Sequence, residues 1–587
     1  MATNFIDRRS FVEGLARFGV ATTVFPTVLY AMAEQHKDIT KTMIANAAAV
    51  AGLEFDDKQI DMMVDDLKNR LKAFDAIHDL HIANSVAPAL VFDPVLPGMS
   101  YQQAKRPPKM SRIAAPATPK NIEDVAFYPV RQLAELVRTK KVTSVALTDM
   151  YLARLKKYDP ALKFVVSLTE ERAKALAQEA DKDIAAGRYR GPLHGLPWGA
   201  KDLLAVKKYK TTWGAGGFEE QTIDEDATVV QRLDKAGAVL VAKLTLGALA
   251  QGDVWFGGTT RNPWKTDQGS SGSSAGPASA TAAGCVAFAI GSETLGSISS
   301  PSTRCGTTGL RPTFGRVPRT GAMALSWSMD KLGALCRSVE DCAIVLDAIY
   351  GPDGKDGSVH DIGYAWDATL DPKTLCIGFV PADFEHRKPG ENERPEQKAA
   401  REDNDRFNDA ALEAIRTKLG WKLIPVKLPE LPWQAMRPIL LAEAAAAFDE
   451  LTRSGRDKLL TAQGKNEWPN TFREARFIPA VEYINGNRAR TLGMQAMADV
   501  FKNVDVIVAP TFSNQLLITN LTGHPAVILP NGFRADGTPV SLTFLGDLFG
   551  ESKLLTVAKA YQDATEWHLK HPATMEPKEL PPPRTER

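Results

Sequence analysis

The sequence predicts an α/β protein, a sheet flanked by helices, with a helical extension at its N-terminus. Three observations carry that class. Helical stretches such as 130–158 alternate with short apolar runs at 239–242, 286–290 and 506–509, the pattern of strands covered by helices. Of 587 residues, 44% are hydrophobic and 24% charged, which is ordinary globular usage and enough apolar side chain for a sizeable core. A helix-spaced apolar segment, well ahead of the first strand-like run, supplies the extension.

In chain order, the first element reads as an export signal. Asp7-Arg8-Arg9-Ser10-Phe11-Val12 resembles the twin-arginine motif. The apolar stretch from Phe18 ends in Ala31-Met32-Ala33, a cleavage-like triplet. It is shorter than the ~20 residues a membrane helix needs, so no stable membrane span is expected. Glu13, Arg17 and Pro26 interrupt it, which also suits an amphipathic helix. Residues 1–33 are therefore expected to be a signal peptide, placing the protein in the periplasm or outside the cell; without export it is cytoplasmic.

Residues 34–96 read as the helical extension. Ile60, Met63, Leu67 and Leu71 recur at helical spacing behind a cap at Asp56 or Asp57. Residues 97–124 hold Pro107-Pro108, Pro116 and Pro119 and read as a proline-rich linker arm. The polar run 385–406 reads as a solvated helix start or excursion, and the proline-rich end, 571–587, as a flexible tail.

Charge and cysteine usage narrow the function. Lysine plus arginine number 71 against 70 aspartates and glutamates, a net charge of +1. That balance argues against a nucleic-acid partner, which calls for a basic excess. The five cysteines form no CxxC pair, so neither a structural zinc site nor a disulfide framework is expected. His78 and His81 read as a solvated helix face rather than metal ligands.

The chemistry is concentrated between residues 195 and 332. A run of serine and glycine from 267 to 284 leads straight into the apolar run 286–290 and then into Gly291-Ser292-Glu293-Thr294-Leu295-Gly296-Ser297. Small residues on both sides of an apolar strand suit backbone packed closely against a site. Gly272-Ser273-Ser274-Ala275-Gly276 also fits G-x-S-x-G, but a nucleophile elbow needs a buried strand just before it. Asn262-Pro263-Trp264-Lys265-Thr266-Asp267-Gln268 does not make one. Trp213, Trp255, Phe256 and Trp327 read first as core, and otherwise as lining of an apolar pocket.

These motifs together resemble the amidase signature family over about residues 125–570. The resemblance rests on Gly195-Leu196-Pro197-Trp198-Gly199-Ala200-Lys201-Asp202, on Gly272-Ser273-Ser274-Ala275-Gly276, and on Glu293-Thr294-Leu295-Gly296-Ser297-Ile298. Thr260-Arg261-Asn262-Pro263-Trp264 and Gly309-Leu310-Arg311-Pro312-Thr313-Phe314-Gly315 extend it. It implies one large catalytic domain, 125–570, on a large twisted mixed β-sheet. It implies a serine–cis-serine–lysine triad: Ser297 the nucleophile, Ser273 the bridging serine with a cis bond after Gly272, Lys201 the base. The oxyanion hole would be the backbone N–H groups of Thr294, Leu295 and Gly296, with Ser297 itself. The implied reaction is hydrolysis of a carboxylic amide, aryl or acyl, through a seryl acyl-enzyme, with no metal and no organic cofactor. The expected partner is a small-molecule amide, and a homodimer is compatible with the reading. The alternative is the glutamine-hydrolysing amidase subunit of a tRNA amidotransferase; ester or carbamate cleavage uses the same acyl-enzyme.

A serine hydroxyl needs a base, and a lysine serves only when burial makes it neutral. Lys201 sits among Leu196, Pro197, Trp198, Leu203 and Leu204, an apolar setting, with Asp202 beside it to orient it or to cap a helix. The chain also departs from the family pattern. Leu295 replaces a glycine, Glu293 an aspartate and Ser299 an arginine, with Arg304 near enough to compensate in part.

Overall fold

The computed structural model describes residues 39–101, 103–386 and 393–576; the signal-peptide reading of residues 1–33 lies outside them. Helices α1 (Lys41–Val50) and α2 (Asp57–His78) form the extension. Asp56, of the two candidate caps, starts α2. Its carboxylate accepts from the Gln59 N–H while the Gln59 side chain accepts from the Asp56 N–H, a reciprocal capping box. Ile39, Ile44 and Ile60 pack together between the two helices, with Met63, Val64 and Leu67 against them.

Residues 103–121 then run across the surface without a helix, tied by Arg106 and Lys109 N–H groups to the carbonyls of Tyr364 and Trp366 and by Ser111 to the Glu340 carboxylate. The stretch 130–158 is two helices, α3 (Val130–Arg138) and α4 (Ser144–Leu162). Lys140 adopts a positive φ of 60° between them, and Thr143 caps the second.

Eleven strands make one mixed sheet: β1 (Val165–Leu168), β2 (Pro197–Lys201), β3 (Val239–Leu244), β4 (Phe288–Glu293), β5 (Thr308–Arg311), β6 (Lys331–Cys336), β7 (Ile377–Phe379), β8 (Ile424–Pro425), β9 (Val506–Pro510), β10 (Ala526–Phe533) and β11 (Pro539–Gly546). Their order is β1-β3-β2-β4-β6-β5-β10-β11-β9-β7-β8. The β3-β2-β4 and β9-β7-β8 groups are parallel and the other pairs antiparallel. Every residue of β2, β3, β4 and β6 is buried, because helices cover both faces; such strands show no alternation of polar and apolar residues. The run 286–290 becomes strand from Phe288; Arg337 takes the carbonyls of Val286 and Ala287, and the Ala287 N–H donates to the Pro197 carbonyl of β2. At the C-terminal end, Met575 is buried and its carbonyl accepts from Arg154 at 2.7 Å. The chain is therefore docked as far as residue 576, where the proline-rich composition suggests a loose tail from 571.

Candidate active site

Lys201 is the last residue of β2, and Ser292 lies near the end of β4 beside it. Between these strands in sequence comes the hairpin 261–269, then the serine run, then α5 (Ala275–Ala282). The hairpin strand ahead of the G-x-S-x-G residues is partly exposed, so no buried strand precedes Ser274. The Gly272–Ser273 peptide is cis. A Cβ at residue 272 would lie 1.8 Å from the Gly252 carbonyl oxygen, so only glycine lets the serine run approach that backbone.

The Lys201 amine is enclosed. Its Nζ lies 2.8 Å from Ser273 Oγ, 3.1 Å from Ser274 Oγ and 2.8 Å from Ser292 Oγ. Ser274 Oγ also donates to the Ser292 carbonyl and accepts from the Ser292 N–H, which fixes it beside the lysine. Lys201 has no exposed surface. Burial lowers its pKa from 10.5 to about 7, against the opposing pull of Asp330 and Glu293.

Asp202 neither orients Lys201 nor caps a helix. One carboxylate oxygen faces Lys243 Nζ at 2.7 Å, both side chains being fully buried, and the other accepts from the Thr212 N–H and hydroxyl. Lys201 and Lys243, both buried, thus differ: Lys243 has a carboxylate partner, whereas the groups around the Lys201 amine are hydroxyls and the Ser292 carbonyl.

Ser297 follows β4 by four residues and precedes the short helix α6 (Ser299–Cys305). Its carbonyl accepts from the Ser274 N–H at 3.1 Å, which joins the two serine-bearing segments. Among the described residues its hydroxyl has no hydrogen-bond partner, and the residue keeps 8% exposure. Gly296 has a φ of +88°, a conformation glycine adopts without cost. The N–H groups of Leu295, Gly296 and Ser297 have no backbone acceptor among the described residues. Thr294 lies in the same turn, and its hydroxyl donates to Asp330 at 2.5 Å.

Glu293 holds this turn. Its Oε2 accepts from the N–H groups of Ile298 and Ser299 and from the Ser299 hydroxyl. Its Oε1 accepts from Arg311 and Asn520. Burial raises its pKa, but the Arg311 guanidinium overrides that and brings it down to about 2, so the carboxylate stays ionised. In the sequence Glu293 and Ser299 read only as departures from a pattern; the structure makes them partners. Arg304, by contrast, is exposed at the end of α6 and does not replace an arginine at position 299.

A cavity of about 260 Å³ borders Ser292, Thr294 and Asp330 and is walled by Leu203, Met323 and Leu332. A second, of about 660 Å³, adjoins it, lined by Trp213, Phe218, Trp327 and Phe448. Of the four aromatics singled out in the sequence, Trp213 and Trp327 line this space, whereas Trp255 and Phe256 pack on each other at 4.7 Å. His78, the last residue of α2, is half-buried and His81, beyond the helix, is exposed; both border this space as well. No group of His, Cys, Asp and Glu suited to a metal ion occurs among the described residues, and no helix among them is long and apolar enough to cross a membrane.

Comparison with known proteins gives consistent matches. The family model described as Amidase matches residues 146–517. A glutamyl-tRNA(Gln) amidotransferase subunit of Roseiflexus castenholzii is 33% identical over 494 residues, covering 76% of this chain and 98% of that protein. Its counterpart in Geobacillus kaustophilus is 33% identical over 492 residues, covering 76% and 99%. Among solved structures, native peptide amidase from Stenotrophomonas maltophilia superposes with a TM-score of 0.64 at 30% identity, covering 76% of this chain and 98% of that one.

Proposed function

The chain belongs to the amidase family, a C–N hydrolase acting on amides, and from that premise we propose that it cleaves a small carboxylic amide through an acyl-enzyme on Ser297. The observation that carries the reading is the fully buried Lys201 Nζ, 2.8 Å from Ser273 Oγ. In its neutral form Lys201 accepts the Ser273 proton, and Ser273 accepts that of Ser297. Ser297 Oγ attacks the amide carbonyl. The oxyanion meets the N–H groups of Thr294, Leu295, Gly296 and Ser297, donors worth ~3–4 kcal/mol each where such groups have been removed by mutation. The tetrahedral species collapses as Ser273 returns a proton to the leaving nitrogen. Water then attacks the acyl-enzyme by the same proton path in reverse, releasing the acid and restoring Ser297. Each half-reaction exchanges one bond at the acyl carbon, C–N for C–O and then C–O for C–O, and returns its protons to the leaving group.

The cavities support an amide with an aryl or other apolar group, since Leu203, Met323, Leu332 and the adjoining aromatics give the space apolar walls. A second reading, glutamine hydrolysis as part of an amidotransferase, has the 33% identical subunits in its favour. Ser299, engaged with Glu293 where the family often carries arginine, weighs against it. Twin-arginine export of residues 1–33 remains part of the proposal, and N-terminal sequencing of mature protein tests it: a chain beginning at residue 34 supports it and an intact Ala2 start contradicts it. A homodimer is the proposed assembly, to be read from mass in solution. The function itself is tested by assaying purified protein on alkyl amides, aryl amides and glutamine: release of acid from an aryl amide, lost in Ser297→Ala, is the expected result. Ammonia from glutamine alone would favour the second reading.

A further inference from the structure

The segment 77–88 lies upstream of the family-matched residues 146–517, yet it forms one wall of both cavities. Asn84 and Ala87 border the smaller and the larger cavity alike, as does Trp327. Asn84 is tied on both sides of the opening. Its Nδ2 donates to the Ala324 carbonyl at 2.8 Å and to the Ala447 carbonyl at 3.3 Å, and its Oδ1 accepts from the Ala324 N–H at 2.8 Å. The next residue, Leu325, donates its N–H to Asp330, which accepts from Thr294 through its other oxygen. A continuous set of hydrogen bonds thus joins the N-terminal segment to the turn that carries Ser297.

The walls of the larger cavity suit an apolar occupant. Trp213, Phe218, Trp327 and Phe448 line it, alongside the charged Asp449, Glu450, Arg453 and Arg456. Ile82 and Val86 border it from the N-terminal segment while remaining 59% and 55% exposed. A space with rings in its wall, sharing Asn84, Ala87 and Trp327 with the smaller cavity that borders Ser292 and Thr294, and edged by uncovered aliphatic side chains, is suited to an apolar ligand. We propose that residues 82–88 are the roof of the substrate cleft, that the larger cavity takes the apolar, aryl-bearing end of an extended amide, and that Asn84 is the positioning residue that holds the roof. This rests on the amide-hydrolase reading of the site.

The test uses the full chain with two probes, propionamide as the compact amide and 4-phenylbutyramide as the extended one. In Asn84→Ala the ratio of kcat/KM for 4-phenylbutyramide to that for propionamide falls about tenfold, carried mainly by KM, as loss of several hydrogen bonds at the roof requires. Val86→Trp, at an exposed position that leaves the core untouched, narrows the cavity and lowers the same ratio, so the proposal stays testable if Asn84→Ala does not fold. An unchanged ratio in Val86→Trp overturns it, as does an equal loss on both amides in folded Asn84→Ala. Failure of the underlying reading is recognised separately, with Ser297→Ala protein titrated with 4-phenylbutyramide by tryptophan fluorescence. If the unmutated enzyme hydrolyses neither amide but this quenching occurs and weakens on adding Asn84→Ala, the cleft assignment stands and the hydrolytic reading falls. Absence of quenching overturns the cleft assignment.

Discussion

On the proposed mechanism, the pH dependence of the reaction follows from one buried lysine. With a pKa of about 7, Lys201 is half neutral at pH 7; at its ordinary 10.5 the neutral fraction there would be roughly one in three thousand. Burial therefore raises the population of active base more than a thousandfold. The free-enzyme profile, kcat/KM between pH 5 and 9, should climb about tenfold per pH unit below 7 and level off above it. Replacing Lys201 by Arg keeps the length and the charge but removes the ability to become neutral, so activity should fall at least about a thousandfold at every pH in that range, with the circular dichroism of the native protein retained. A stopped assay of acid release from an aryl amide measures both. A profile flat from pH 5 to 9, or a Lys201→Arg enzyme retaining a tenth of the activity, would refute the claim that a neutral Lys201 is the base.

Three further outcomes are expected. Ser273→Ala should lower kcat by at least about a hundredfold while the Lys201 pocket persists, since Ser274 and Ser292 still face the amine; steady-state kinetics beside a thermal melt separates the two. Glu293→Gln should destabilise the protein by about 3–5 kcal/mol, because it leaves the Arg311 guanidinium buried against a neutral partner, and denaturant midpoints with the accompanying slopes read this. Lys201→Met should be inactive but more stable. Depressing a lysine from 10.5 to about 7 costs the folded state about 5 kcal/mol as an upper figure. That cost is fully present below pH 7, where both states are protonated, and fades as pH rises from 7 towards 10.5, where both are neutral. The stability gain of Lys201→Met should therefore be largest at pH 6 and smaller at pH 9; the opposite trend in denaturation midpoints would contradict the assigned shift.

What could be seen in the sequence, and what could not, follows from the distance over which each feature is written. Lys201, Ser273 and Ser297 each sit in a compact motif that resembles the family's, so the resemblance could point to them from short stretches of sequence. The sheet was legible wherever a strand is an apolar run, as at β3 and β9. The strand β2, Pro197–Lys201, was not: its sequence, Pro-Trp-Gly-Ala-Lys, has neither alternation nor β-branched residues, and only burial on both faces makes it a strand. The split of 130–158 turned on the Thr143 cap, a signal present but outweighed by continuous apolar spacing. The Asp202–Lys243 pair arises across neighbouring strands, and nothing near either residue announces it. Glu293 gathers Arg311, 18 residues on, and Asn520, 227 residues on. Asn84 reaches Ala324 across 240 residues. Such partners are set by how strands, helices and loops are brought together in the fold, which no local pattern encodes.

Acylation of Ser297 is the step on which the proposed mechanism turns. It is tested most directly by mixing the enzyme with a slowly turned-over aryl ester, quenching in acid during turnover, and locating the added mass by peptide mass spectrometry. One acyl group per chain is expected on Ser297, absent in Ser297→Ala and strongly reduced in Lys201→Met. An acyl group found on Ser274, or unchanged labelling in Ser297→Ala, would contradict it.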